Sequence, residues 1–167
     1  EFIREMKETI RLLGNHPSIA AWVIFNEGWG QFQTEDMTRI VRRLDPNRLI
    51  DQASGWFDQG GGDFSSLHNY FFKLFIRPER ERASVLSEFG GYSYREPGHC
   101  AKEKLYGYGI CKNKKDLEKR FLERWSGVRN LIPQGLSASI YTQWTDVEEE
   151  VNGVFTYDRE VRKIEPF

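Results

Sequence analysis

The chain has 167 residues, and its 24 Lys and Arg nearly balance its 25 Asp and Glu, which gives a formal net charge of −1 at pH 7. It lacks the basic excess that attracts phosphate backbones or anionic membrane surfaces, and its longest apolar run, residues 20–25, is too short to span a bilayer, so we expect neither a nucleic-acid nor a membrane partner. The length and an apolar fraction of 39% predict one folded domain over residues 1–167.

The first third of the chain alternates helical and strand patterns. Apolar side chains at helical spacing predict a helix over Phe2–Leu13. The continuously apolar residues 20–25 are typical of a strand that is covered on both faces, as in parallel α/β sheets. A second helix is expected to open with Glu35 and Asp36 after Thr34, which can cap it, and its apolar face extends to Leu44. A short strand is expected over residues 48–53.

The remainder of the chain continues this alternation. Strands are expected near residues 66–70, 84–87 and 137–143. An apolar stripe over residues 117–132 predicts the best-defined helix, which lies before the last strand. At least five strands alternating with helices predict an α/β fold, and active sites of such folds form at the carboxyl ends of the strands.

Two glutamates lie where strands are predicted to end. Glu27 follows the strand over residues 20–25, and Glu88 follows the strand over residues 84–87. A carboxylate pair in an aromatic pocket can hydrolyse a glycoside, because one acid protonates the leaving oxygen while the other attacks the anomeric carbon or activates water. The chain holds 25 acids, so chance alone could place two of them at strand ends. Position therefore leaves open whether this pair is catalytic or coincidental.

Four segments resemble, in chain order, motifs of glycoside hydrolase family 2, which includes β-galactosidases, β-glucuronidases and β-mannosidases. They are Asn15-His16-Pro17-Ser18-Ile19 with residues 22–27, then Ser87-Glu88-Phe89-Gly90-Gly91, then Gln143-Trp144-Thr145-Asp146, and finally residues 152–159. The resemblance implies a (β/α)8 TIM barrel, of which this chain holds only the part similar to strands four to eight. It also implies two partners from the same protein, the N-terminal barrel half and the β-sandwich domains. An isolated piece of this kind is expected to be aggregation-prone, dimeric or dependent on such a complement.

The resemblance also implies a role for individual residues. Glu27 corresponds to the general acid/base and Glu88 to the nucleophile of a hydrolysis that retains the anomeric configuration. Asn26 corresponds to the residue that binds the sugar 2-hydroxyl, Tyr70 to the tyrosine that hydrogen-bonds the nucleophile, and Trp144 to the floor of the sugar subsite. These residues form the predicted site.

Other interpretations stand beside these roles. His68 is expected either to bind the substrate or to be a structural histidine that is hydrogen-bonded to a loop carbonyl. Asn26 is alternatively a turn residue, and Trp144 is alternatively a core residue. The acidic run Glu148-Glu149-Glu150 is interpreted as a solvated loop face.

A neutral sugar is favoured as the substrate. Family members that cleave glucuronides carry an Asn-x-Lys motif whose lysine pairs with the sugar carboxylate, whereas the corresponding stretch here, Glu150-Val151-Asn152, has no cation. A buried acid facing a uronate would disfavour binding. The sequence therefore predicts a retaining exo-β-glycosidase, similar to a β-galactosidase, with a non-catalytic carbohydrate-binding or structural fragment as the alternative. No cofactor and no metal ligand are predicted, and divalent-cation use and the cellular compartment stay open.

Overall fold

The computed structural model describes residues 1–165, and its helices and strands follow the predicted order. They are α1 (Phe2–Leu13), β1 (Ala21–Asn26), α2 (Thr34–Leu44), β2 (Leu49–Ser54), β3 (Phe64–Asn69), β4 (Ala83–Gly90), β5 (Tyr92–Ser93), β6 (Gly109–Ile110), α3 (Lys114–Leu131) and β7 (Leu136–Thr142). A short 3₁₀ turn, Ile132–Gln134, follows α3. None of the helices in residues 1–165 is both long and apolar enough to cross a membrane.

The alternation of strands and helices is less regular than predicted. Within the described residues, no α-helix connects β2 to β3 or β3 to β4. The first connection, residues 55–63, is rich in glycine and has no helical apolar stripe. At the start of α2, Thr34 is the first helical residue and Gln33 takes the capping position, so the prediction that Thr34 caps this helix is wrong.

The described residues form two compact units, and the first comprises Glu1–His68 with Arg77–Val85. In it, β1 pairs in parallel with β2, from Ala21 opposite Leu49 to Asn26 opposite Ser54. The two helices of this unit contribute to a core with β1 and β2. The core comprises Ile10, Val41 and Ile50, packed against Met6, Trp22, Ile24 and Leu44.

The prediction that β1 is covered on both faces is wrong for the described residues. Trp22 and Ile24 pack into the core, but Val23, which points to the opposite face of the strand, is 59% exposed. Of the six residues of β1, only Phe25 is buried. The physical reason is that, in this part of the chain, β1 has β2 as its one neighbouring strand and no element covers Val23.

The second unit comprises Asn69–Ile76 with Leu86–Phe167, and is described to residue 165. Its core is built around α3. The core residues are Cys111, Leu117, Phe121 and Ile164, with Tyr92, Tyr94, Tyr141 and Val154 packed against them. The parallel pair β5 and β6 was not predicted, since two-residue strands leave no periodic pattern.

The longest sheet has the strand order β3-β4-β7. The first residues of β3 and β4 belong to the first unit, whereas the last residues of both strands and all of β7 belong to the second. The sheets of the described residues have two, three and two strands, so these residues do not close a barrel.

Candidate active site

Glu27 follows β1 in a backbone conformation that is unusual for a residue with a side chain. Its φ is 51°, in the left-handed region, and its N–H donates to Ser54 O at 2.8 Å. Gly28 comes next with a φ of 81°, and a Cβ at this position would lie 2.2 Å from the Phe57 ring. Glycine adopts this positive φ without strain, and its lack of a side chain leaves room for the Phe57 ring beside the turn that presents Glu27.

His68 holds the side chain of Glu27. The imidazole Nδ1 lies 2.8 Å from Glu27 Oε1, and Nε2 lies 3.0 Å from Ser54 Oγ. The His68 side chain is fully buried, whereas the Glu27 side chain is 18% exposed. Because both ring nitrogens have protein partners, this geometry favours a structural role for His68 over substrate binding, with a carboxylate and a hydroxyl in place of the expected loop carbonyl. Substrate binding by His68 stays a prediction.

Glu88 lies near the end of β4 and is held by Tyr70, which directly follows β3. The Tyr70 hydroxyl donates to Glu88 Oε2, and it lies 3.0 Å from Thr142 Oγ1 on β7. Burial and the neighbouring Glu88 carboxylate raise the pKa of Tyr70, so its hydroxyl keeps the proton that it donates. The hydrogen bond expected between Tyr70 and Glu88 is therefore present, while the catalytic role of Glu88 stays a prediction.

The ring of Tyr70 is fixed by its neighbours in the second unit. It stacks on Tyr108, with ring centroids 3.9 Å apart and an interplanar angle of 10°. Gly91 leaves room for both rings, because a Cβ at this position would lie only 2.8 Å from Tyr108 and 2.9 Å from Tyr70. Gly91 of the predicted motif thus allows the Tyr70 and Tyr108 rings to approach the backbone closely.

Two other predicted residues lie at strand ends. Asn26 is the last residue of β1, and its exposed position begins a turn in which Trp29 N donates to Asn26 O at 3.2 Å. Trp144 lies two residues after β7 and is 70% exposed, with its ring centroid 5.0 Å from that of Phe155. The alternative that Trp144 is a core residue is therefore wrong. Sugar binding by either residue stays a prediction.

One acid of the predicted solvated run is part of a polar network. Glu150 is half-buried, and its Oε2 lies 3.4 Å from Gln143 Nε2 and 3.5 Å from Asn152 Nδ2. The two amides are also joined, since Gln143 Nε2 donates to Asn152 Oδ1 at 2.7 Å. The interpretation of a fully solvated run is thus wrong for Glu150, because amide partners lie seven residues before it and two residues after it.

Sequence reasoning also missed a buried ion pair in the second unit, between Lys163 and Asp146. Lys163 Nζ lies 2.6 Å from Asp146 Oδ1, and neither side chain is exposed to solvent. Burial lowers the pKa of Lys163 and raises the pKa of Asp146, and each charge opposes the shift of the other. The pair ties the segment after β7 to the end of the described chain.

A histidine and two acids of the second unit offer ligand atoms for a metal. His99, Asp158 and Glu160 place one nitrogen and two carboxylate oxygens within 4.8 Å of one another. His99 Nδ1 lies 2.7 Å from Asp158 Oδ2, and this hydrogen bond raises the pKa of His99. An ion pair accounts for the group, so no metal is assigned to it.

Comparison with known proteins supports the predicted resemblance. The family profile described as "Glycosyl hydrolases family 2, TIM barrel domain" matches residues 1–92, which is more than half of the chain. No curated protein sequence matches the chain.

The fold is similar to that of solved β-glucuronidases. Two structures of the enzyme from Ruminococcus gnavus have TM-scores of 0.62 and 0.63, are 17% identical in sequence and cover 96% of this chain. The chain spans only 32% and 33% of the length of those two chains. At this identity the likeness establishes the fold alone. The profile and the fold together show that the chain belongs to glycosyl hydrolase family 2, as part of its TIM-barrel domain.

Proposed function

We propose that the chain forms the part of a retaining exo-β-glycosidase that contains barrel strands four to eight and both catalytic carboxylates. Membership of glycosyl hydrolase family 2 supports hydrolysis of a glycosidic bond. The observation that carries the proposal is the hydrogen bond from Tyr70 to Glu88 at the end of β4. A hydroxyl that keeps its proton can hold a carboxylate in its ionised form, which is the form that a nucleophile needs.

The proposed reaction has two displacement steps. In the first, Glu88 attacks the anomeric carbon while Glu27 protonates the leaving oxygen, which gives a covalent glycosyl-enzyme. In the second, Glu27 takes a proton from water, and the water oxygen displaces Glu88 from the anomeric carbon. Each step inverts the configuration at that carbon, so the product retains the configuration of the substrate.

The proposed substrate is a terminal neutral β-D-glycoside, such as a β-galactoside. The segment that carries Glu150 contains three consecutive acids and no Lys or Arg between residues 144 and 154, which disfavours a uronate. Asn26 is proposed to bind the sugar 2-hydroxyl. The exposed ring of Trp144 is a suitable surface for the apolar face of the pyranose.

The proposed partners are the carbohydrate and the upstream half of the barrel, with the β-sandwich domains before it. The exposed Val23 on β1 supports this proposal, as does Ile140 on β7, which is 58% exposed. Apolar side chains on strands with an open edge are normally covered by another strand or helix. Association of identical chains is the alternative way to cover them.

The test is turnover of a panel of nitrophenyl β-glycosides by the chain alone and by the chain joined to an upstream barrel half, with Glu88→Gln as the control. We expect the joined protein to hydrolyse a neutral glycoside faster than the glucuronide, and we expect proton NMR to show the β-anomer as the first product. A first product of α configuration would overturn the retaining mechanism. Binding without turnover in the joined protein would support the non-catalytic alternative.

A further inference from the structure

A series of aromatic rings leads from Glu88 to the surface of the second unit. Tyr70, whose hydroxyl donates to Glu88, stacks on Tyr108 with ring centroids 3.9 Å apart. The Phe71 ring meets the same Tyr108 ring edge-on, with centroids 5.1 Å apart and an interplanar angle of 80°. Phe72 continues the series, with its ring centroid 6.4 Å from that of Phe71. We call Tyr108, Phe71 and Phe72 the aromatic row.

The two phenylalanines of the aromatic row face solvent although they are large and apolar. Phe71 is 64% exposed and Phe72 is 71% exposed, whereas Tyr70 is only 6% exposed. Adjacent exposed aromatic side chains commonly mark a surface that binds a ligand or another protein. A bound substrate is the occupant favoured here, because the row begins at the tyrosine that contacts the proposed nucleophile.

The backbone that carries both phenylalanines is fixed by hydrogen bonds. Arg124 on α3 donates to Phe72 O at 2.8 Å and to Asn69 O at 3.2 Å. The buried Asn69 side chain accepts from Phe72 N at 3.1 Å and donates to Lys73 O at 3.1 Å. The segment is therefore held in place before a ligand binds, and a preorganised surface loses less conformational freedom on binding.

The chemistry of the row indicates which part of a substrate it contacts. In the proposed exo mode only the terminal sugar enters the enclosed end of the site, so the leaving group lies toward solvent, as Phe71 and Phe72 do. Neither phenylalanine side chain has a hydrogen-bonding atom, whereas a second sugar would carry hydroxyls that need partners. An aryl ring can stack on these side chains without leaving polar atoms unpartnered.

We propose that Phe71 and Phe72, supported by Tyr108, form a subsite for an aryl leaving group, so that β-glycosides of aromatic alcohols or phenols are the preferred substrates. This inference rests on the proposed function, and it adds the class of the leaving group to that of the sugar. The subsite holds the aryl ring equally in the bound substrate and in the transition state. It therefore lowers KM and leaves kcat unchanged.

The experiment compares two substrates whose leaving groups differ in one ring. Benzyl and methyl β-glycosides of the same sugar release alcohols of similar acidity, so a difference between them reports binding of the ring. In the joined protein, we expect kcat/KM to be about 10-fold or more higher for the benzyl glycoside. Phe71→Ala should raise KM for the benzyl glycoside about 5- to 30-fold, whereas kcat and the rates with the methyl glycoside should change less than about 2-fold.

Leu122→Ala is the matched control, because Leu122 is an apolar side chain on α3 that is 50% exposed. It should leave both substrates unchanged. Phe71→Leu keeps an apolar side chain but lacks the ring, and it should still raise KM for the benzyl glycoside. Equal losses on the benzyl and methyl glycosides, or an unchanged KM for the benzyl glycoside, would overturn the inference. A loss just as large on a β-linked disaccharide of the same terminal sugar would overturn the assignment to an aryl group.

Binding of the benzyl 1-thio-β-glycoside, which resists hydrolysis, separates this inference from the proposed function. Saturation-transfer NMR should show the benzyl protons in contact with the joined protein, and Phe71→Ala should weaken binding about 5- to 30-fold. If the joined protein binds this probe as expected but hydrolyses no glycoside, the proposed function is wrong and the subsite stands. If it hydrolyses glycosides and Phe71→Ala changes neither KM nor binding, the subsite is wrong and the proposed function stands.

Discussion

The buried pair of Lys163 and Asp146 gives the sharpest prediction for stability. All three protons of the Lys163 ammonium have acceptors, namely Asp146 Oδ1 at 2.6 Å, Val151 O at 2.9 Å and Tyr94 O at 3.1 Å. Asp146 Oδ1 also accepts from Gly153 N at 2.8 Å. Replacing Lys163 by Met keeps much of the side-chain volume and removes the positive charge. The Asp146 carboxylate then has no cation beside it, and the carbonyls of Val151 and Tyr94 lose the donor that Lys163 supplied.

The expected cost follows from that loss. Removing one partner of a buried ion pair typically destabilises a protein by about 3–5 kcal/mol, because the remaining charge is uncompensated. With a urea m-value of about 2 kcal/mol/M, Lys163→Met should lower the unfolding midpoint by about 1.5–2.5 M. The double variant Lys163→Met/Asp146→Asn should recover more than half of this loss, since it removes the buried charge as well.

Urea unfolding followed by circular dichroism measures both variants. The matched control is Lys114→Met, because Lys114 pairs with Glu165 at 3.0 Å but their side chains are 37% and 62% exposed. An exposed pair of this kind contributes about 0–1 kcal/mol, so the midpoint should shift by no more than about 0.5 M. The reasoning is refuted if Lys163→Met behaves like this control, or if the double variant is no more stable than the single one.

Three further predictions concern the proposed site and the hydrogen-bonded pair of His99 and Asp158. Tyr70→Phe should lower kcat of the joined protein about 10- to 150-fold, since a hydrogen bond to a charged group contributes about 1.5–3 kcal/mol; an unchanged rate would show that Glu88 does not need this donor. Azide should restore turnover of a dinitrophenyl glycoside by Glu27→Gln and give the β-glycosyl azide, because two inversions retain the configuration, whereas an α-azide from Glu27→Gln together with a β-azide from Glu88→Gln would exchange the two roles. Asp158 raises the pKa of His99, and the pKa of Asp158 is lowered from 3.8 to about 2, so this pair stabilises the fold fully between about pH 4 and pH 6.5. The contribution is lost as the pH rises through the raised pKa of His99 or falls toward pH 2; Asp158→Asn should remove that part of the pH dependence of the urea midpoint.

The periodic elements of this fold could be predicted from the sequence. The bounds of α1 agree with the apolar stripe from Phe2 to Leu13, and α3 begins three residues before its stripe. The prediction for β4 ended at residue 87, whereas the strand continues through Glu88 to Gly90. A charged residue inside a strand is tolerated there since the Tyr70 hydroxyl supplies a hydrogen bond from elsewhere in the sequence.

The polar interior could not be predicted in the same way. Asp51, Gln52 and Ser54 lie on β2 and are all buried, although polar side chains in a strand normally indicate a face toward water. Their hydrogen-bond partners come from other elements of the chain: Ser66 and His68 on β3 bond Asp51 and Ser54, and Thr38 on α2 bonds Gln52. Only the fold brings these partners within hydrogen-bond distance, so no local pattern announces them.

The partners of the two glutamates support different chemistry for each. Burial and the neighbouring Glu88 raise the pKa of Tyr70, so its hydroxyl keeps its proton and acts as a fixed donor to Glu88. The imidazole of His68 can donate to Glu27 or accept from it, because a neutral histidine exchanges these roles between its two nitrogens. A nucleophile has to stay ionised until it forms a bond, whereas an acid/base catalyst has to lose and regain a proton in each cycle. The fixed donor beside Glu88 and the adaptable partner beside Glu27 therefore favour the proposed assignment over its reverse, and the configuration of the azide product tests it directly.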